Sequence, residues 1–421
     1  MDKQKLTRME KQWILYDVGN SAFIMLVTTI IPIYYKNIAL AEGVSLAHST
    51  AYFGYATSIS TLIVALLGPI LGSISDTRGY KKPLFTLFLV IGVMGCAALA
   101  LPVPWLAFLG IFVIAKVGYN SSLIFYDSML TDITTKERMD EVSSQGYAWG
   151  YIGSCIPFTI SLLFVLFAEP IGISASTATM IAFLLNAVWW FGITIPLLKN
   201  YRQKYFVEVQ SHPLKESFAR IIKMLKNIRK EKGIFLFLLA FLFYIDGVYT
   251  IIEMATSYGK DVGIGDNSLL LALLLTQVVA FPCSILFGKL SKKYKTTSLI
   301  KVGILGYTGI ALFALQLDKA WEFWFLAVCV AVFQGAIQAL SRSYFAKIIP
   351  EEQAGEYFGL YDIFGKGAAF IGTMMMGIST QISGSSKTGV FLLVLMFAAG
   401  FFLFRKADQV NAQALSERKS V

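Results

Sequence analysis

The residues of this 421-residue chain whose types and spacing could do chemistry are ionisable side chains set inside long apolar stretches. A charge at the centre of a membrane-spanning helix costs roughly 2.5–3.5 kcal/mol on insertion scales, so each needs a partner, a water-filled cavity or a role. Lys116, Asp246 and Lys366 stand near the middle of such stretches, Asp17 and Asp127 near one end of theirs, and Glu253 toward the opposite end. Lys116, Asn120 and Asp127 recur at i, i+4 and i+11, and Asp246, Thr250 and Glu253 at i, i+4 and i+7, so each set shares a helical face. Gln334, Gln338 and Arg342 form a third stripe. These types support binding rather than bond-making: a cation and a carboxylate at cavity depth can hold the two ends of a zwitterion, and a carboxylate can carry a proton. No nucleophile, base and orienting group share a plausible site, so an enzyme is not expected.

Structural roles for the same residues stay open beside these. Asp362 and Lys366 are i, i+4 neighbours that can neutralise each other, and Asp17 can be a helix-end group at headgroup level. A buried Lys116–Asp246 bridge would serve either reading.

The elements that must position these groups are twelve apolar stretches, six on each side of a basic linker. About 20 apolar residues span a bilayer as a helix, so the expectation is an all-α membrane protein with twelve transmembrane helices. A 56% hydrophobic and 15% charged composition leaves too little polar surface to clothe water-soluble domains. The predicted organisation is a six-helix bundle over 1–198, a cytoplasmic linker over 199–232 and a second bundle over 233–421. Within the linker, Leu214, Phe218, Ile221, Ile222, Leu225 and Ile228 alternate with lysines and arginines at helical spacing, as in a basic amphipathic helix lying on an anionic leaflet.

Net charge +10 does not imply nucleic acid, because the cations sort by membrane side. The tails, the loops after even-numbered spans and the adjoining helix ends hold 30 Lys and Arg; the other loops hold only Lys36, Lys260, Lys319 and Lys387. Both termini are therefore expected in the cytoplasm. The first span, with Asp17, Asn20 and Ser21 and no small-residue cleavage site, reads as a retained helix rather than a removable signal. Four cysteines lie singly in different spans, without metal-ligand spacing, and read as small buried hydrophobes. No metal or cofactor is expected.

The loop after span 2, Gly72-Ser-Ile-Ser-Asp76-Thr-Arg78-Gly79-Tyr-Lys81-Lys82, resembles the signature loop between helices 2 and 3 of the major facilitator superfamily. Gly79 there can supply a turn with positive φ, and Asp76 can cap a helix N-terminus or pair with a cation across the domain interface. After span 8, Gly288 and the basic charge recur, but Lys292 replaces the aspartate, so a one-sided latch is expected. Residues 133–150 set over 348–365, a shift of 215, pair Ile133 with Ile348, Glu137 with Glu352, Glu141 with Glu356 and Gly150 with Gly365. Such a repeat fits two pseudo-symmetric bundles related by an axis along the membrane normal. Glycines 146, 150 and 153, spaced by four and three, favour close helix approach.

Helix 1 (Tyr16-Asp17-Val-Gly19-Asn20-Ser21), helix 7 (Tyr244-Ile-Asp246-Gly247) and helix 11 (Tyr357-Phe358-Gly359-Leu360-Tyr361, Gly365-Lys366) resemble the vacuole-effluxer-like, autophagy-related branch of that superfamily over essentially the whole chain. Ile245 and Val18-Gly19 depart from that branch's pattern. The resemblance implies a central cavity lined by helices 1, 4, 7 and 10, a gate latch at Asp76 and Arg78, and association with amino-acid efflux. Substrate contacts are expected at Lys116, Asn120, Asp246, Thr250, Glu253, Gln334, Gln338 and Lys366. Proton coupling is expected at Asp17, Asp246 and Glu253, and gating at Asp76, Arg78, Asp127 and Arg342. Without a phosphate-binding loop, ATP is not the direct energy source. The only histidines, His48 and His212, lie outside the spans, leaving carboxylates as proton carriers.

The expected function is alternating-access transport of a small polar solute, an amino acid or similar zwitterion, by a monomer in the lipid bilayer. The compact chain, without long lumenal insertions, suggests a bacterial cell membrane. An exporter of amphiphilic drugs or lipids, or a non-transporting receptor of the same fold, remains the alternative.

Overall fold

In the computed structural model, residues 5–208, 231–261, 266–383 and 386–419 are described. The linker helix expected over residues 214–228 lies outside them.

The first half comprises α1 (Arg8–Thr28), α2 (Ile30–Ala41), α3 (Leu46–Ser75), α4 (Lys81–Ala98), α5 (Trp105–Ser128), the single turn α6 (Leu130–Ile133), α7 (Met139–Leu166) and α8 (Ala175–Asn200). The second comprises α9 (Lys232–Asp261), α10 (Asp266–Leu290), α11 (Thr296–Ala314), α12 (Ala320–Ile348), α13 (Ala354–Ser383) and α14 (Ser386–Lys419). Among the described residues, 11 helical segments are long and apolar enough to cross a membrane, α1 and α2 counting as one. The 30-residue α13 completes the set of twelve.

Sequence expectation and structure differ in the first span, which is broken rather than continuous. Thr29 leaves helical geometry (φ −128°, ψ −77°) between α1 and α2. Pro32 has no N–H to give and its ring crowds the carbonyl four residues back, which ends the hydrogen-bond ladder there. At its other end α1 starts on a capping box, with Thr7 accepting the Glu10 N–H and Glu10 accepting the Thr7 N–H.

The halves meet most closely where α3 crosses α13. Gly68 and Gly72 on one helix face Gly355 and Gly359 on the other. A Cβ on Gly359 would lie 2.6 Å from the Gly68 carbonyl oxygen, and one on Gly72 would overlap the Gly355 carbonyl. Paired small residues thus bring two backbones into contact across the interface. Glycines 146, 150 and 153 of α7 make room within the first half for the side chains of Asp17, Ser21 and Val18 of α1. Gly79 adopts φ +81°, the positive-φ turn the loop sequence called for.

Candidate functional site

Arg342 stands six residues before the end of α12 and is almost fully buried. Its Nη1 donates to Asp127 Oδ1 at 2.9 Å, its Nη2 to Asp17 Oδ2 at 3.4 Å and to the Ser143 carbonyl at 3.1 Å, and its Nε to Ser143 Oγ at 2.9 Å. Its guanidinium carbon lies 4.7 Å from the Trp13 ring, 4.5 Å from Tyr147 and 5.6 Å from Tyr126. Tyr126 is stacked on Trp13 at 4.3 Å, so this tyrosine belongs to the wall around the arginine. Gly146 makes the room: a Cβ there would overlap the Asp17 carboxylate. Asp127 and Arg342 are 215 residues apart, the offset of the internal repeat. Residues at equivalent places in the two halves therefore bond to each other, as groups close to a pseudo-two-fold axis do.

Four further links close the same end of the molecule, which carries most of the cations and is called the basic end below. Asp76 accepts the N–H of Gly355 at 2.7 Å and of Glu356 at 2.8 Å, capping the N-terminal turn of α13, and Glu356 accepts from Ser73 Oγ at 3.3 Å. Lys292 Nζ lies 2.9 Å from Glu141, Lys136 Nζ 3.1 Å from Glu351, and Lys347 Nζ 2.6 Å from Asp140, which also accepts from Ser343 and Thr296. The latch is therefore not one-sided. Lys292 at the position equivalent to Asp76 uses the opposite chemistry, pairing with a carboxylate on α7 where Asp76 uses the amide end of α13. The two are unequal in strength. Lys292 is part exposed and its pair is worth up to about 1 kcal/mol, whereas removing buried Asp76 leaves the Gly355 and Glu356 N–H groups unsatisfied at about 1–3 kcal/mol each. Lys292→Ala should thus change the open-to-closed ratio at the basic end by at most about fivefold, and Asp76→Ala by tenfold or more. Comparable effects of the two variants on interhelical label distances would contradict this ranking.

Burial pushes the Asp76 carboxyl up to about 7, against the pull of the Lys81 charge and of the two amide donors. With the latch open and the carboxyl in water, its ordinary value is about 3.9. The closed latch binds the proton more tightly, so closure gains as pH falls from about 7 toward 4. Exchange protection of the Gly355 and Glu356 amides, corrected for intrinsic rates, should rise over that window; a fall would reverse the assignment.

Arg78, expected in the latch, faces away from the second half: its largely exposed side chain lies 3.4 Å from Glu208 and over the Phe206 ring. Residues 201–208 run back along the latch loop. The Val207 N–H donates to the Asp76 carbonyl at 2.8 Å, the Arg78 N–H to the Val207 carbonyl at 3.0 Å, and the Gly79 N–H to Gln203 Oε1 at 3.0 Å. Asp132 ties down both sides, accepting from Lys81 Nζ at 3.2 Å and from the N–H groups of Lys204 and Tyr205. Sequence reasoning missed this strap, since eight residues without apolar periodicity carry no pattern signal.

Outward from Arg342 along α12 lie Gln338, whose amide donates to Tyr151 Oη of the first half at 3.3 Å, and then Gln334. Gln334 also borders a partly open cavity of about 110 Å³ lined by residues of the second half, among them Tyr258, Thr276, Ile310, Leu326 and Leu393. Asn120 is buried on α5, with Lys116 one turn outward and only partly buried. Glu253 on α9 is exposed, and Lys116 of the other half is near enough for the two charges to interact. Asp246 is fully buried; its Oδ1 accepts the Gly372 N–H at 3.0 Å and the Thr250 hydroxyl at 3.3 Å, while its Oδ2 has no hydrogen-bond partner among the described residues. A Lys116–Asp246 bridge is not formed, because α13 packs on Asp246 through Gly372, where a Cβ would overlap Thr250. The side chain of Lys366 lies outside the described residues. The structure thus brings Asp17, Asp127 and Arg342 together, brings Lys116 toward Glu253, and sets Asp246 and Thr250 apart inside the second bundle.

A family model described as "Vacuole effluxer Atg22 like" matches residues 7–414. The MFS-type transporter YxiO of Bacillus subtilis (strain 168) is 44% identical over 423 residues, covering 99% of each chain. Autophagy-related protein 22 of Cryptococcus neoformans var. neoformans serotype D (strain B-3501A) is 27% identical over 295 residues, 64% of this chain and 52% of that one. Among solved structures, the human organic anion transporter MFSD10 (TETRAN) superposes with a TM-score of 0.74 at 13% identity, covering 94% of this chain and 99% of that one. A bacterial homologue of the iron transporter ferroportin in its outward-facing state gives 0.70 at 15% identity, with 96% and 98% covered. Those likenesses are of fold: twelve helices in two six-helix bundles.

Proposed function

Since the chain belongs to the Atg22-like vacuole effluxer family and is a major facilitator superfamily transporter, we propose that it moves a small polar solute, an amino acid or similar zwitterion, by alternating access with proton coupling. The observation that carries this reading is the one-ended closure. The ion pairs that join the halves among the described residues cluster at the basic end, and the polar groups Gln338, Asn120, Lys116 and Glu253 lie on the far side of Arg342 from it. A floor that can open, below a chamber with charges of both signs, is what alternating access to a zwitterion requires. Lys116 would hold the anionic group and Glu253 the cationic one. Asp246 would carry the coupling proton, since a proton on its unpartnered Oδ2 removes a charge from a site closed to water. The domains follow the two halves, 1–198 and 233–421, and with the basic end in the cytoplasm both termini lie there, in a cell membrane. A monomer suffices for this reading, because every group it uses belongs to one chain.

Flux of amino acids into proteoliposomes under an imposed pH gradient tests both parts. Uptake should follow the gradient, and Asp246→Asn should remove that dependence while the protein stays folded. Flux indifferent to the gradient removes the coupling, and no flux of any polar solute removes the substrate class. The apolar cavity of the second half favours a second reading, export of amphiphiles. That reading expects Lys116→Ala to transport undiminished, where the first expects loss.

A further inference from the structure

The side chains that hold Arg342 all come from the other half of the molecule. Trp13 and Asp17 are on α1, Tyr126 and Asp127 on α5, Ser143 and Tyr147 on α7. Together they form a receptor for an organic cation: two carboxylates, a hydroxyl and a carbonyl as acceptors, and three aromatic rings within 4.5 to 5.6 Å of the guanidinium carbon. Arg342 occupies it from α12 of the second half. Rocking apart at the basic end must withdraw Arg342 with its helix and leave the receptor behind on the first half, with two carboxylates and one cation fewer.

We propose that this cage is a second-state binding site for the guanidinium or ammonium group of the transported solute, and that Arg342 is its tethered competitor. This rests on the alternating-access reading and adds a second place, on the first half, for the cationic group that Glu253 holds when the basic end is closed. Solute in the cage would hold the basic end open, and its departure would let Arg342 return and close it. Each state then keeps one cation on Asp17 and Asp127, so neither state strands both charges.

The test uses the purified full-length chain and methylguanidinium, measured by calorimetry. Arg342→Ala, relieved of its competitor, should bind methylguanidinium at least about tenfold more tightly than the wild type. Adding Asp127→Asn to that variant should remove the gain, while adding Lys301→Ala, whose partner Asp408 lies in the same half, should not. Arg342→Gln, which keeps a donor toward Ser143, provides the same comparison if Arg342→Ala does not fold. Equal affinities of wild type and a folded Arg342 variant would overturn the proposal, as would a gain that survives Asp127→Asn. Arginine and leucine flux in proteoliposomes, run alongside, separates this from the transport reading. A methylguanidinium gain without flux of any solute supports the cage and removes transport, and flux without the gain does the reverse.

Discussion

Arg342→Gln is expected to release the basic end of the molecule. In the closed state the change takes from Asp17 and Asp127 the guanidinium that bonds both, beside Trp13, Tyr126 and Tyr147. Removing one partner of a buried ion pair costs about 3–5 kcal/mol, and here that cost falls on the closed state, because opening returns both carboxylates to water. The closed-to-open ratio should therefore fall by a factor on the order of hundreds. The readout is alkylation of a cysteine placed at Gln338, one turn beyond Arg342, by a reagent supplied from the basic end. The background lacks Cys96, Cys155, Cys283 and Cys329. Neutralising Asp17 and Asp127 to asparagine alongside Arg342→Gln should recover much of the closure, since the buried charges go with the cation. If alkylation is as slow in Arg342→Gln as in the parent, the arginine does not hold the gate.

Gly72→Val is expected to have the opposite character, a block rather than a release of a bond. The valine Cβ would sit inside the Gly355 carbonyl, a backbone atom that cannot rotate away, and its methyls would prop α3 off α13. The Asp76 cap on Gly355 and Glu356 is adjacent and would part with it. Overpacking typically costs about 1–3 kcal/mol, and a backbone-to-backbone contact belongs at the upper end. The variant should still insert, since the change leaves both spans apolar, yet exchange flux should drop by about a hundredfold. Gly54→Val on the same helix has nothing within 4 Å of its Cβ and should leave flux unchanged. Equal flux in both variants would show that α3 and α13 do not need to touch during the cycle.

How far the sequence carried the account differs by element. Hydropathy located the spans because lipid solvates a helix uniformly, and the loop around Asp76 and Gly79 announced its turn and its cap. The break at Thr29 was signalled by Pro32 but hidden by the unbroken apolar run around it. Gly355 and Gly359 repeat the spacing of Gly68 and Gly72, a matching pair visible in the sequence; that the two pairs face each other is tertiary information. Lys292 carries the charge opposite to that of its counterpart Asp76, and the structure shows that the two positions share a place, not a partner type. Asp127 and Arg342 lay at the repeat offset all along. Their pairing needed the axis, which the sequence implies without locating. Asp246 shows what a helical face leaves out: the face was legible, but that Gly372 of α13 packs over it is tertiary information.

The central claim is that the two halves move against each other about a basic end held shut by Arg342. Distances between spin labels at the exposed positions Arg202 and Tyr294, one beside each half at that end, test it most directly in membranes. The wild type should show two populations, with the longer one dominant in Arg342→Gln and nearly absent when Asp76 is protonated. A single distance, unchanged by Arg342→Gln and by pH, would contradict it.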